Sequence, residues 1–154
     1  MSLTNLNYLS ILLLLIGFTA IAIFLFEIKS TPTLASVAFI VLATVMIAGK
    51  VYSPQYVLWL TPLAVIALTS AKDLPAFWIW QSGEIIYHIA VWQHIALVTG
   101  AQFGLAAGGY AALTLLRIAT TLYLIWILMK RALEARNPQG SAFDLLFEAS
   151  KAYP

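Results

Sequence analysis

Residues 8–26 read YLSILLLLIGFTAIAIFLF, a run without a single charge. An apolar helix of roughly 17–25 residues matches the thickness of a bilayer's hydrocarbon core. The run is too long for the apolar core of a secretory signal, and it has neither a basic start nor an A-x-A cleavage site. It is therefore expected to be a spanning helix. The rest of the chain follows suit: 62% of the 154 residues are hydrophobic, only 9% are charged, and the mean hydropathy is +0.94, which argues against a soluble domain with one buried core. There is no cysteine, which excludes a disulfide framework and a thiolate metal site.

In hydrocarbon every backbone N–H and C=O must be satisfied within its own segment, so the apolar runs are read as helices. Five are expected, at about residues 7–26, 32–48, 54–70, 75–98 and 105–129, giving an all-α, polytopic transmembrane domain over residues 1–136. Thr31 with Pro32, and Ser53 with Pro54, have the cap-then-proline order that starts a helix. The tail, residues 137–154, is expected in the cytoplasm, either as a solvated segment on the bilayer or as a short amphipathic helix carrying Phe143, Leu146 and Phe147. That choice puts Lys29, Lys72, Lys130, Arg131, Arg136 and Lys151 inside, with Lys50 outside and Arg117 within the membrane. The distribution satisfies the positive-inside rule. An odd number of helices then puts the N-terminus outside, in a multi-pass protein of the cell membrane.

Between the second and third segments lies KVYSPQY, residues 50–56, on the expected outer side. A helix beginning after Ser53 presents unpaired N–H groups and about half a positive charge, which suits a phosphate, and Lys50 adds a full charge. Gln55 and Tyr56 offer an amide and a phenol, with Trp59 one turn further on. Two readings stay open from chemistry alone. One is a seat for a lipid phosphate; the other is a snorkelling lysine, a capped helix and an aromatic belt.

The longer stretch GKVYSPQYVLWLTPL, residues 49–63, resembles the NKV-x-SPQY-x-LWLLPL segment near the C-terminal end of bacterial polyprenyl-phosphate-mannose-dependent glycosyltransferases of the GT-C superfamily. It is also similar to the NKV-x-TSQY-x-LW segment of the eukaryotic mannosyltransferase that builds glycosylphosphatidylinositol anchors. Lys50, Val51, Ser53, Pro54, Gln55, Tyr56, Leu58, Trp59 and Pro62 match the bacterial pattern, whereas Gly49 stands where asparagine is usual. With the segments that follow, the resemblance covers roughly residues 48–131. It implies an outward-facing enzyme that takes a sugar, mannose for preference, from a polyprenyl phosphate donor, with Lys50, Ser53, Gln55 and Tyr56 near the donor phosphate.

Two charges fall deep in the apolar segments. Glu84 and Arg117 are each expected near mid-membrane, where a lone charge costs on the order of 3 kcal/mol, so they are expected to pair between adjacent antiparallel helices. Gln81, Glu84 and His88 share one helical face at spacing i, i+3 and i+7. With Trp59 and His94, His88 is a candidate pocket residue, although a histidine satisfied at a helix interface is the plainer reading. His88 and His94 lack the i, i+4 spacing of a helical metal site, so no metal or cofactor is expected beyond the donor substrate. Small residues in GLAAGGYAAL, 104–113, suggest close packing of the fifth helix there.

The resembled family draws its general base from an aspartate in the first outer loop of a much longer chain, and no outer acid is available here. Glu27 and Asp73 fall at inner helix ends, Glu134, Asp144 and Glu148 follow the last helix, and Glu84 is committed to a pair. No catalytic residue is therefore assigned. The leading expectation is a membrane subunit or C-terminal module of a lipid-linked sugar transferase, inactive alone and partnered by a membrane protein that supplies the catalytic half. It is a split subunit, a degenerate homologue or a shortened chain. The alternative is a non-enzymatic scaffold that binds partner helices or lipid. No nucleic-acid partner is expected.

Overall fold

A computed structural model describes residues 3–28, 32–49, 53–68 and 70–134, and these are helical with no strand among them. Five α-helices follow in order: α1 Leu3–Glu27, α2 Leu34–Ala48, α3 Val57–Ala67, α4 Leu74–Val98 and α5 Ala107–Glu134. Three-residue 3-10 turns at Pro54–Tyr56 and Ala71–Asp73 lead into α3 and α4. Among the described residues two helices, α1 and α5, are long and apolar enough to cross a membrane.

Local chemistry sets the ends. Helix α2 starts at Leu34, not at Pro32, because Thr33 is the cap: its Oγ1 accepts from the Ser36 N–H (3.2 Å) and bonds the Ser36 hydroxyl (2.7 Å). The expected cap, Thr31, lies outside the described residues, as do Lys50 and the tail. Helix α4 ends in a Schellman motif. Gly100 takes the left-handed φ of +98°, its N–H bonds Leu97 C=O, and the Ala101 N–H bonds Ala96 C=O. Helix α5 runs past residue 129 to Glu134, since Lys130 and Glu134 pair at i, i+4 (3.6 Å) and Arg131 is held by Asp73, the last residue of the 3-10 turn before α4.

The helices zigzag. Antiparallel α1 and α2 meet where Gly17 faces Thr44, and the Ser10 hydroxyl donates to the Ala48 carbonyl. Antiparallel α4 and α5 form the tightest pair, with Gly83 so close to Thr120 that an added Cβ would collide with it. The expected small-residue contact around residues 104–113 is different. Gly104 lies in the turn, pressed on Gln93 C=O, while Gly108, in the first turn of α5, has open space beside it. A modest core joins Phe39 and Ala43 of α2, Leu60 and Ala64 of α3, Trp80 of α4 and Leu124 of α5. Trp80 stands edge-on to Phe39, ring centroids 5.5 Å apart.

What is buried and what is exposed runs against the rule for soluble domains. Leu12, Leu15 and Ile16 on α1, Ile85, Ile89 and Trp92 on α4, and Leu115, Leu122 and Trp126 on α5 are exposed, whereas Asp73, Glu84, Arg117 and Thr121 are buried. Apolar area on that scale is far beyond what a soluble monomer carries as a patch.

Candidate functional site

The centre of the molecule is a buried ion pair. Arg117 Nε donates to Glu84 Oε2 at 2.8 Å and Nη2 lies 2.8 Å from the same oxygen; the two side chains are 0% and 3% exposed. The Gly83–Thr120 approach explains why they meet: it brings the backbones of α4 and α5 together one residue from Glu84. Solvent reaches little of either side chain, so the charges need each other, and Arg117 takes a further electrostatic contact from the Tyr87 ring, whose centroid is 4.3 Å from its guanidinium carbon.

Arg117 also reaches a third element. Its Nη2 donates to the Ser53 carbonyl at 3.3 Å, so the buried cation holds the first residue of the SPQY turn. This contact brings to one level two features that the sequence places apart, the turn at the outer boundary and the charges at mid-membrane. Arg117 lies about 15 Å along α5 from its first residue, so the turn that its side chain holds is set back from the α4–α5 connection. The short lengths of α2 and α3 account for it: at 15 and 11 residues they rise about 22 and 16 Å, less than a bilayer core of ~30 Å.

The turn itself differs from the expected helix start. The Ser53 side chain makes no capping hydrogen bond, and its carbonyl accepts from both the Tyr56 N–H (3.2 Å) and Arg117. The 3-10 geometry thus engages the Tyr56 N–H internally and leaves fewer donors for an anion than a regular α-helix start has. Gln55 is exposed, Tyr56 packs against the core, and its ring lies 5.9 Å from that of the exposed Trp59.

Beside the ion pair an open cleft of about 280 Å³ is lined by Val57, Gln81, Glu84, Ile85, His88 and Ile89. His88 therefore belongs to the site, while neither Trp59 nor His94 lines the cleft. The His94 ring stacks on Tyr110 at 4.7 Å, and its Nδ1 sits 2.9 Å from the Leu105 carbonyl, which can only accept, so Nδ1 carries the hydrogen. Gln81 donates to the Thr61 hydroxyl (3.2 Å), tying α4 to α3. The buried stripe of α4 is Ala76, Trp80, Gly83, Glu84, Tyr87 and Ala90, so Gln81 and His88 flank the interface that Glu84 centres.

Sequence reading missed Tyr87 and Tyr110. Their hydroxyls share a hydrogen bond of 2.9 Å, so a polar ladder runs along the α4–α5 seam from Glu84 and Arg117 through the two tyrosines to His94. Tyr87 follows Glu84 at i+3, and that spacing was the available signal. The pair of Asp73 with Arg131 was also missed. Once Glu84 is opposite Arg117, an antiparallel register puts Asp73 near residue 128, within a turn of Arg131.

No protein-family model, curated protein or solved structure matches this chain.

Proposed function

We propose that the chain is a multi-pass membrane protein that holds the phosphate of a polyprenyl-phosphate sugar at the SPQY turn, as a subunit or C-terminal module of a lipid-linked sugar transferase. One observation carries this reading: the hydrogen bond from Arg117 to the Ser53 carbonyl, which fixes the turn to the most deeply buried charge among the described residues. Holding a loop on a buried ion pair costs desolvation, and an ordered binding turn is a reason to retain it. Lys50, Ser53, Gln55 and Tyr56 are the proposed donor-phosphate residues. The Lys50 charge and the side-chain donors carry more of the binding than helix-start N–H groups, since the 3-10 turn engages part of these. Exposed Leu58 and Trp59 offer the polyprenyl chain an apolar face.

All five helices are proposed to lie in the bilayer, with the N-terminus outside and the C-terminus cytoplasmic. Helices α2 and α3 are short, but they come as a pair, so α4 and α5 keep their direction whether that pair crosses fully or turns back at Ser53. The phosphate seat then lies in a recess open to the outer side, next to the His88 cleft. In a transferase the phosphate is the leaving group, and a fixed cation there stabilises charge that develops in the transition state. The partner would supply the base, because Glu84 is held by Arg117.

The second reading, a scaffold for partner helices, is favoured by α1. Only Ile21 and Phe24 of its 25 residues are buried, which leaves most of an apolar helix for lipid or a partner. The discriminating experiment is purification of the full chain and its Lys50→Gln/Gln55→Ala variant from native membranes, followed by mass spectrometry of lipids and proteins. Polyprenyl phosphate lipid bound to the parent chain and lost from the variant, together with a co-purifying membrane protein, is the expected result. A partner without polyprenyl lipid selects the scaffold, and recovery of the chain with neither sinks both.

A further inference from the structure

At the other end of the α4–α5 pair lies a second cleft, of about 320 Å³ and independent of the SPQY site. Lys72, Asp73, Tyr123, Lys130, Arg131 and Glu134 supply its polar lining. Its floor is a fixed ion pair. Arg131 Nε and Nη2 lie 2.8 and 2.6 Å from Asp73 Oδ1, and the Asp73 side chain is only 6% exposed. That carboxylate is neutralised and shielded. Glu134 lies 3.6 Å from Lys130 and 3.9 Å from Arg131 Nη1, so it is shared between two cations. With Lys72 exposed on the same cleft, three cations face two carboxylates, and the more buried carboxylate is already engaged.

Aromatic residues set the level of this cleft. Tyr123 and Trp126 pack with centroids 5.9 Å apart, and Lys130 Nζ lies 5.5 Å from the centre of the Trp126 ring. A lysine whose stem follows a tryptophan, beside a tyrosine, is the arrangement found where hydrocarbon gives way to headgroups. Pro75, Ala76 and Ile127 complete the lining, so the cleft joins an apolar wall to a cationic mouth.

We infer that this cleft binds the phosphate of an anionic phospholipid headgroup, with Lys72 and Lys130 as the adjustable cations and Arg131 as a cation held in place by Asp73. A basic pocket between helices at headgroup level is the chemistry expected to recognise such a lipid. The Arg131 guanidinium, 43% exposed and anchored on Asp73, can offer a phosphate oxygen the Nη1 that lies 3.9 Å from Glu134, and two flexible ammonium groups can close on the others.

The test uses the full chain purified in mild detergent, with thermal unfolding and native mass spectrometry as readouts. Probes are phosphatidylglycerol, phosphatidylcholine and inorganic phosphate. Phosphatidylglycerol should raise Tm above the value in phosphatidylcholine and be the lipid retained in the gas phase. In Lys72→Gln/Lys130→Gln its preference over phosphatidylcholine should fall by about fivefold per lysine removed. Lys72→Arg/Lys130→Arg, which keeps both charges, should retain the preference and guards against a folding defect in the first variant. Stabilisation by inorganic phosphate equal to that by phosphatidylglycerol would overturn the lipid assignment. Equal effects of the two lipids, or a preference unchanged in the glutamine variant, would overturn the site.

Discussion

Two carboxylate–guanidinium pairs tie α5 to α4 and to the turn that leads into it, and they differ chiefly in their access to solvent. Glu84 and Arg117 are sealed in the middle of the hairpin, with side chains 3% and 0% exposed, whereas Arg131 is 43% exposed above a buried Asp73. The buried pair is surrounded by groups that complete it: the Tyr87 ring, the Ser53 carbonyl and Thr121, whose hydroxyl donates to the Arg117 carbonyl. The more exposed pair keeps a side open, toward Lys130, Glu134 and a cleft. Similar contact distances therefore carry different consequences. A sealed pair is a structural commitment, expensive to break from one side; the pair beside the cleft anchors Arg131 but is adjustable to its removal, because water or another cation can stand in on the arginine side.

The largest effect separating the two should come from Arg117→Met. It strands a carboxylate in the interior and releases the Ser53 carbonyl, and breaking a buried pair from one side costs about 3–5 kcal/mol. Unfolding in detergent should show that loss together with a reduced folded yield. Glu84→Gln/Arg117→Met removes both charges and should recover much of the stability. If Arg117→Met unfolds like the parent chain, the pair is not the structural centre described above.

How far the sequence reveals this contrast depends on the residue. Glu84 and Arg117 were legible because a charge in an apolar helix has few ways to be satisfied, and an antiparallel neighbour is the nearest. Helical character was legible from the apolar runs. The recessed turn was not: the SPQY motif marks a helix start, but its depth depends on how far short helices α2 and α3 reach, and their ends are set by the Thr33 cap and the 3-10 turn at Pro54–Tyr56. Nor was the buried face of α4. Gln81, Glu84 and His88 form one polar face by spacing, while the packed face centres on Gly83 and Glu84 because the only large residues it must admit, Trp80 and Tyr87, lie a turn to either side.

A smaller effect tests what seals the inner pair. Gly83→Val places side-chain atoms where Thr120 already stands, so α4 and α5 must separate beside Glu84. Overpacking of this kind costs typically about 1–3 kcal/mol. The separation should also admit water, so the Glu84 region should gain amide hydrogen exchange in excess of the global loss in stability. Thr120→Ala in the same chain should relieve part of the clash. A Gly83→Val chain with unchanged stability and exchange would mean that the hairpin has slack, and that the seal lies elsewhere.

The smallest effect belongs to the more exposed pair, Asp73 with Arg131. Arg131→Gln removes the cation from Asp73, but the space it leaves opens to solvent, through which water and the neighbouring Lys72 and Lys130 can attend the carboxylate. Exposed pairs are worth about 0–1 kcal/mol, and this pair, which solvent reaches from the Arg131 side alone, should fall nearer that range than the sealed one; raising the salt concentration should shrink the difference from the parent chain further, since screening acts on charges that water can reach. The same change in salt should leave the Arg117→Met deficit nearly intact, as Glu84 is only 3% exposed. Measuring both variants at low and high salt therefore reads solvent access directly. If Arg131→Gln proves as costly and as insensitive to salt as Arg117→Met, Asp73 is sealed as thoroughly as Glu84, and the distinction between a structural pair and an adjustable one fails.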